Sequence, residues 1–150
     1  MQRKAWSEVH CPMARAVDLI GEWGSLLILR EAFAGVRRFD DFQDRLQMSR
    51  NLLTTRLKKL VDGGVLTRQP IAENAKRLEY ALTPMGEDLA TTIVALRQWG
   101  DRWLFAPEPP PANMVDVTDG TVIPKLEVRS ASGRLVGPSE IRLQPNQKKT

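Results

Sequence analysis

The stretch SRNLLTTRLKKLVDGGVL, residues 49–66, has the apolar spacing of a helix that packs on a core. Its large apolar residues recur every three or four positions and so share one face of an α-helix: Leu53, Leu57, Leu60 and Val61. Ser49 is a favoured N-cap residue, and Gly63-Gly64 supplies a stop because glycine readily adopts the left-handed conformation. We therefore predict a capped helix of about three to four turns.

The opposite face of this helix is polar and positively charged. It carries Asn51, Thr55, Lys58 and Lys59, with Arg50, Thr54 and Arg56 at its margins. The first acidic residue of the helix, Asp62, follows all of these bases. Because an ordinary solvated surface helix has similar residues, the flanking sequence must decide whether this one binds a partner.

Length and composition limit the possible classes of protein. A chain of 150 residues with 42% hydrophobic residues suits one domain with an appendage, which we place at residues 1–106 and 107–150. It has no apolar run long enough for a transmembrane helix and no apolar segment near its start of the kind found in signal peptides. A single cysteine, Cys11, fits a reducing cytoplasm. Together with the single histidine it supplies too few ligands for a zinc site, and we expect no metal and no cofactor.

Positive charge is concentrated in one part of the chain. Residues 49–77 hold seven basic and two acidic residues, a local charge of +5 against +4 for the whole chain, so the rest is nearly neutral. Such a local basic patch predicts a phosphate-bearing partner.

In the rest of the chain the spacing of apolar residues changes from that of helices to that of strands. We predict a helix that follows Cys11 and ends at Gly21. A second helix, strongly apolar and mostly buried, runs from Glu22 to Gly35 and includes Trp23. A third covers RRFDDFQDRL, with Phe39, Phe42 and Leu46 facing inward. Two strands, VLTRQPI and RLEYALT, follow residues 49–64 as a hairpin with its tip at residues 72–76.

The last part of the chain contains a long helix, a linker and an extension. Thr83 caps a long helix that runs from Pro84 to Phe105, and the proline-rich segment APEPPPAN follows it. Beyond this linker we predict a small β-hairpin in which TVIPKLEVRS and LVGPSEIRL flank the turn ASGR.

This order of elements predicts a mainly α protein with a small β wing: a winged helix-turn-helix with flanking dimerisation helices and a C-terminal β-hairpin-like extension. In that architecture the last helix of the three-helix core enters the DNA major groove and the hairpin lies beside the backbone. Double-stranded operator DNA is then the expected partner. The predicted DNA-binding residues are Ser49, Arg50, Asn51, Thr54, Thr55, Arg56, Lys58, Asn74, Lys76 and Arg77. Of these, Asn51 suits an adenine edge, Arg50 suits guanine, and Arg56 suits phosphate.

A homodimer is the second expectation. Operators read by helix-turn-helix proteins are commonly two-fold, and a monomer offers only one recognition helix. The first helix and the long helix carry apolar residues beyond what a small core can cover: Ala16, Leu19, Ile20, Ile93, Leu96, Trp99, Trp103 and Leu104. Because aromatic residues are favoured at interface centres, we predict that these residues form the dimer interface.

Three segments of the chain match a known sequence pattern in order and spacing: CPMARAVDLIGEWGSLLILREAFAGVRRFDDFQDRL, SRNLLTTRLKKLVDGGVLTRQ and LEYALTPMGEDL. Through them the chain resembles the HxlR-type family of bacterial winged-helix transcription regulators. The likeness covers about 100 residues and implies a dimer that binds operator DNA and responds to a chemical stress or a metabolite, so a small-molecule effector is a candidate partner. The segment IAENAKRLEY departs from the family, whose wing commonly contains a proline, and residues 107–150 lie outside the likeness.

Cys11 is a candidate redox sensor. It lies beside His10 at the start of a helix, where the partial positive charge of the helix terminus stabilises a thiolate. The resemblance supports this role, because some family members sense oxidants or electrophiles through a cysteine at the matching place. A small buried hydrophobe at a helix start is the competing interpretation.

Two other classes of function remain as alternatives. The chain has no glycine-rich phosphate loop, no metal-ligand spacing and no nucleophile motif, so we expect that it is not an enzyme. A protein-interaction module that uses a winged-helix scaffold without binding DNA is the main rival, and the basic exposed helix argues against it.

Overall fold

The computed structural model describes Trp6 and residues 8–146, and it separates into two compact units that meet in the chain between Ile93 and Val94. The elements of the first unit, in chain order, are α1 (Pro12–Ile20), α2 (Ser25–Phe33), α3 (Phe39–Leu46), α4 (Arg50–Asp62), β1 (Leu66–Pro70), β2 (Leu78–Leu82) and α5 (Pro84–Glu87). The division falls inside α6 (Ala90–Trp103), and a short 3-10 helix at Pro138–Glu140 follows in the second unit.

The core of the first unit forms where α2, α3 and α4 meet the start of the hairpin. Its buried apolar residues are Ile28, Leu29, Ala32, Val36, Phe42, Met48, Leu53, Leu57, Leu60, Val65 and Leu66. The predicted apolar face of α4 is thus confirmed, with Val61 half-buried beside it. Ser49 caps the helix as predicted, since its Oγ accepts a hydrogen bond from the Leu52 N–H at 3.3 Å.

The turn between α3 and α4 is held tightly against the start of α2. Gln47 ends α3 in the left-handed region, with φ at 51°, and Met48 then turns inward. A Cβ at Gly24 would lie 2.2 Å from the terminal methyl carbon of Met48, and Gly24 itself has φ at 89°. Both the space and the backbone conformation therefore favour glycine at this position.

The predicted hairpin is confirmed as an antiparallel pair. Leu66 lies opposite Leu82 and Arg68 opposite Tyr80, and the connection at residues 71–77 contains the predicted tip. Tyr80 anchors the pair to the helical core: its N–H donates to the Arg37 carbonyl at 2.8 Å, and its ring lies edge-on to Phe42. The hairpin is therefore fixed beside α3 and α4 at its base while its tip is exposed.

Two helix predictions need correction. Trp23 is not part of the second helix, because left-handed Gly24 precedes Ser25, where α2 begins, and the Trp23 side chain is 66% exposed. The long helix predicted from Pro84 is interrupted, because the Leu89 N–H bonds to the Gly86 carbonyl three residues back instead of four. The predicted cap is correct, since Thr83 Oγ1 accepts from the Gly86 N–H at 3.1 Å.

The extension in the second unit is less regular than predicted. Around the expected turn, pairing is limited to one bridge, Arg129 to Leu135, and a second bridge joins Val115 to Val122. Two of the predicted strand positions are Pro124 and Pro138, which have no N–H to donate. From residue 94 to residue 146 no residue is buried. Hydrogen bonds from backbone N–H groups to nearby carboxylates form turns in these loops instead. In one of them the Thr118 N–H donates to Asp116 Oδ1 at 2.7 Å, and this hydrogen bond lowers the pKa of Asp116.

Candidate nucleic-acid interface

The outward face of α4 brings together the residues predicted to contact bases. Asn51, Thr54, Thr55 and Lys58 are all exposed, on the side opposite the buried leucines. Ser49 starts the helix, and Arg50 lies at its first position. Because the leucines are fully buried, the rotation of α4 about its own axis is fixed by the core, and the same polar side chains always face outward.

Both threonine hydroxyls on this face are already engaged as donors. Thr54 Oγ1 donates to the Arg50 carbonyl at 2.8 Å, and Thr55 Oγ1 donates to the Asn51 carbonyl at 2.9 Å. Each hydroxyl therefore presents acceptor lone pairs to the outside. Lys58 forms an ion pair with Asp62 one turn further on, and both side chains are largely exposed.

A groove of about 660 Å³ runs between α4, the start of α3 and the hairpin. Its lining residues are Phe39, Asp40, Arg50, Thr54, Lys58, Val61, Asp62, Arg68, Lys76, Leu78 and Tyr80. Four cations face two acids here, so the groove has a positive balance that suits a phosphate backbone. Two of the cations stack on aromatic rings, with the Arg50 guanidinium 4.8 Å from the Phe39 centroid and Arg68 5.9 Å from that of Tyr80.

Arg68 is a candidate contact that our sequence interpretation missed. It was counted in the basic patch but assigned no role, because a strand residue has no helical face to place it on. The available signal was its register: Arg68 lies directly opposite Tyr80, so both side chains leave the same face of the hairpin toward α4.

The three residues predicted for the wing lie at or beside the tip of the hairpin. Asn74, Lys76 and Arg77 are all exposed, and Asn74 turns the chain with φ at 63°. Lys76 also lines the groove, whereas Arg77 does not. Of these two cations, Lys76 therefore shares a groove with side chains of α4, and Arg77 lies outside that groove.

Arg56 has a different environment from the other predicted DNA-binding residues. Its guanidinium forms an ion pair with Glu22, and its Nε donates to the Trp23 carbonyl at 2.8 Å. The Arg56 side chain is only 16% exposed, whereas that of Lys58 is 73% exposed. The Arg56 side chain is therefore directed toward the loop between α1 and α2.

The residues predicted for a dimer interface fall into two groups. Leu19, Ile20 and Ile93 pack against the core of the first unit, while Ala16 is exposed on α1. The other four are exposed: Leu96, Trp99, Trp103 and Leu104. The four tryptophans of the chain, Trp6, Trp23, Trp99 and Trp103, are all exposed.

Cys11 is half-buried and occupies the N-cap position of α1, immediately before Pro12. His10, Cys11, Pro12 and Arg15 line a cavity of about 440 Å³. The Arg15 side chain lies against the residues that precede α1, because its Nε donates to the Val9 carbonyl at 2.8 Å. The thiol thus borders a space large enough for a small organic molecule.

In the described part of the chain, no helix is both long enough and apolar enough to cross a membrane.

Comparison with known proteins gives similarities along most of the chain. A model of the HxlR-like helix-turn-helix family matches residues 19–108. An uncharacterised HTH-type transcriptional regulator of Mycobacterium tuberculosis is 46% identical over 108 residues, which are 72% of this chain and 68% of that protein.

Two solved structures are similar to different extents. PA1607, described as a candidate transcription factor, is 37% identical, with a TM-score of 0.89 over 95% of this chain and 100% of its own. The quinone-bound regulator YodB from Bacillus subtilis is 27% identical, with a TM-score of 0.53 over 62% of this chain and 99% of its own. The extension therefore has a structural counterpart in PA1607, whereas the match to YodB leaves out more than a third of the chain.

Proposed function

The chain belongs to the family of HxlR-like helix-turn-helix transcriptional regulators, and we propose that it binds an operator sequence-specifically as a homodimer. The observation that carries this proposal is the construction of α4. One side of the helix is fully buried through Leu53, Leu57 and Leu60, and the other side exposes amide, hydroxyl and ammonium groups. A rigidly held helix with such a face matches the donor and acceptor pattern of the major groove.

The residues of this face have separate roles in the proposal. Asn51 pairs with an adenine edge, Thr54 and Thr55 contact neighbouring bases, and Arg50 reaches a guanine. Lys58 contacts phosphate, and Ser49 keeps the helix start in place by capping it. In this proposal one DNA strand lies along the groove between α4 and the hairpin, and Asn74, Lys76 and Arg77 contact its backbone.

Dimerisation follows from the exposed apolar residues of α6 and from the two-fold symmetry of typical operators. Leu96, Trp99, Trp103 and Leu104 expose large apolar surfaces, and Ala16 adds a small exposed residue on α1. Leu19, Ile20 and Ile93, the other residues proposed for the interface, pack partly against the core of the first unit. Covering this surface with a second copy places two reading helices on one DNA molecule. We assign such a complex to the cytoplasm.

The test is recovery of genomic DNA fragments with the purified protein, followed by sequencing and binding assays at rising salt. We expect one enriched motif and an affinity that falls steeply with salt concentration, because phosphate contacts release counterions. A protein-interaction module on the same scaffold would enrich no sequence.

We further propose that an oxidant or electrophile acts at Cys11. The half-buried thiol lies beside a cavity at the start of α1, and a structural relative has been solved with a quinone bound. The Cys11 thiol would add to a quinone: the sulfur electron pair forms a carbon–sulfur bond, the ring C=C electrons move to a carbonyl oxygen, and the thiol proton and the displaced ring proton end on the two oxygens of the hydroquinone adduct. Diamide would instead oxidise two thiols to a disulfide and be reduced to its hydrazine. With one cysteine per chain, that disulfide joins two subunits or one subunit and a small thiol.

Operator binding before and after diamide or a quinone tests this role, in the wild type and in Cys11→Ser. We expect both reagents to change operator binding of the wild type and to leave that of Cys11→Ser unaltered. An unchanged wild type would make Cys11 a structural residue.

A further inference from the structure

A pair of ionic contacts joins the flank of α4 to the loop that follows α1. Glu22 accepts a hydrogen bond from Lys59 Nζ on its Oε1 at 2.9 Å, and its Oε2 pairs with Arg56 Nη1. Its carboxylate is 21% exposed, so one partly buried acid holds two bases of the same helix. We call Glu22, Arg56 and Lys59 the flank cluster.

The flank cluster lies to one side of the predicted reading face. Asn51, Thr55 and Lys58 are grouped on the outward side of α4. At about 100 degrees per residue, Lys59 lies about 80 degrees and Arg56 about 140 degrees around the helix from Asn51. On the opposite flank, Arg50 and Val61 border the groove toward the hairpin. The reading face is thus bounded by the groove on one side and by the flank cluster on the other.

Two further contacts make the connection specific to this loop. Arg56 donates its Nε to the Trp23 carbonyl at 2.8 Å, so its planar guanidinium is held at two points. The end of α1 also lies against the end of α4, because a Cβ at Gly63 would be 2.3 Å from a methyl carbon of Leu19. The side of α4 that faces this loop is therefore packed as well as paired.

We infer that Glu22 is a positioning residue for DNA recognition, and that Arg56 and Lys59 serve it as anchors and do not contact phosphate. Glu22 holds α4 at the angle at which its outward side chains meet base edges. This inference rests on the proposed function, since it assigns a role in DNA binding. It also replaces the expected phosphate contact of Arg56 with an internal one.

The two roles of Arg56 and Lys59 predict opposite effects when Glu22 is neutralised. If both bases contact phosphate, Glu22→Gln releases them and removes a negative charge near DNA, so that binding tightens and its salt dependence becomes steeper. If they are anchors, the same change loosens α4 and weakens binding although the charge change favours DNA. The sign of the effect therefore separates the two.

The experiment measures the affinity of wild type, Glu22→Gln and Asp62→Asn for the recovered operator and for a scrambled duplex, over a series of salt concentrations. Asp62→Asn is the matched control, because it removes the same charge from an acid that also pairs with a base of α4. We expect Glu22→Gln to lose about tenfold in operator affinity, while its binding to the scrambled duplex does not weaken and the salt slope does not steepen. Because Asp62 lines the groove, Asp62→Asn should bind both duplexes more tightly than wild type, which shows the effect of charge removal alone.

Arg56→Lys is the second variant, and it decides the matter if Glu22→Gln does not fold. Lysine keeps the charge that a phosphate contact needs but lacks the separate Nε and Nη1 donors by which Arg56 holds the Trp23 carbonyl and Glu22 in one fixed plane. The inference predicts a loss of operator affinity in Arg56→Lys, and a phosphate contact predicts its retention. Tighter binding and a steeper salt slope in Glu22→Gln, or full affinity in Arg56→Lys, would overturn the inference. Failure of the wild type to bind any duplex would overturn the proposed function instead.

Discussion

At the residue scale, the hydrogen bonds of the two threonines of α4 limit what the proposed reading face would recognise. Their hydroxyl hydrogens are donated to the backbone of their own helix, so toward DNA they act as acceptors. In the major groove the matching donors are the amino groups of adenine and cytosine. We therefore expect operator positions opposite Thr54 and Thr55 to carry one of these two bases on the contacted strand.

Replacing Asn51 or Thr55 by alanine tests this reading face. We expect each variant to lose preference at one or two base positions, with discrimination at each position falling by about 1–3 kcal/mol. Because both side chains are exposed, the free energy of unfolding should change by only about 0.5 kcal/mol. Sequencing of DNA selected by each variant and thermal melting provide the measurements, with Thr55→Ser as the control that keeps the acceptor. Identical sequence preference in Asn51→Ala and wild type would move the reading face elsewhere.

The environments of individual residues show what a local pattern can and cannot predict. Burial of Leu53, Leu57 and Leu60 was predictable, because their spacing alone places them on one face of α4. The contacts of Arg56 were not, because its partners Glu22 and Trp23 lie far away along the chain. Helical periodicity puts Arg56 at the margin of an exposed face, and only tertiary packing shows which neighbour occupies that margin.

At the element scale, the hairpin should act on DNA through charge. Changing both Lys76 and Arg77 to alanine removes two exposed cations near its tip. If both lie on phosphates, affinity for all sequences falls together and the logarithmic salt slope flattens by about 0.9 for each phosphate no longer neutralised. The charge-conserving pair, Lys76→Arg with Arg77→Lys, should keep the wild-type slope. An unaltered slope in the alanine pair would mean that the hairpin points away from DNA.

Gly86, in the short helix α5, has no room for a side chain. A Cβ at Gly86 would lie 2.2 Å from the Val65 carbonyl oxygen, and a backbone atom cannot easily move away. We expect Gly86→Ala to lower the free energy of unfolding by about 2 kcal/mol.

Gly100 is the matched control, because it lies within α6 and a Cβ there would meet nothing within 4 Å. Gly100→Ala should raise the helix content and stabilise by about 0.5–1 kcal/mol. Urea unfolding followed by circular dichroism measures both variants. Equal stability of Gly86→Ala and wild type would show that the first unit can relax around the new methyl group.

Elements were predictable to the extent that local signals control them. Alternating β-prone residues bounded by turn residues were enough to predict β1 and β2. The break between α5 and α6 was not predictable, because the apolar spacing continues through Leu89 and Ile93, both of which pack on the core. The close approach of Gly86 to Val65 joins α5 to the start of the hairpin, and helical periodicity contains no sign of it.

At the scale of the whole molecule, assembly should depend on the exposed apolar residues of α6. We expect sedimentation of the wild type at micromolar concentration to give about twice the chain mass of 16.9 kDa. Trp99→Asp should shift the equilibrium to monomer, because a charge in the centre of an apolar interface is strongly unfavourable. Val117→Asp is the control, since Val117 is 99% exposed but lies outside the predicted interface. A wild-type mass of one chain would contradict the dimer.

The predicted domain boundary between residues 106 and 107 stays a prediction, and it rests on composition alone. Prolines at residues 107–111 suggested a boundary at the end of the long helix, whereas contacts divide the chain between Ile93 and Val94. In the second unit the Gln98 side chain binds the extension, since its amide donates to the Pro124 carbonyl and accepts from the Leu126 N–H. Composition identifies a linker, but it gives no sign that one side-chain amide joins this part of α6 to the segment beyond the linker.

The exposure of every tryptophan gives this protein an optical property. Indole emission shifts to shorter wavelength when water is excluded from the ring, and Trp6, Trp23, Trp99 and Trp103 are all in contact with solvent within one chain. Unfolding a dilute sample should therefore shift the emission only modestly, because Trp23 and Trp103 are already about two-thirds exposed, whereas Trp6 and Trp99 are about half-covered. Concentrating the protein should shift the emission to the blue as Trp99 and Trp103 become covered. The intrinsic fluorescence would then report on association as well as on folding.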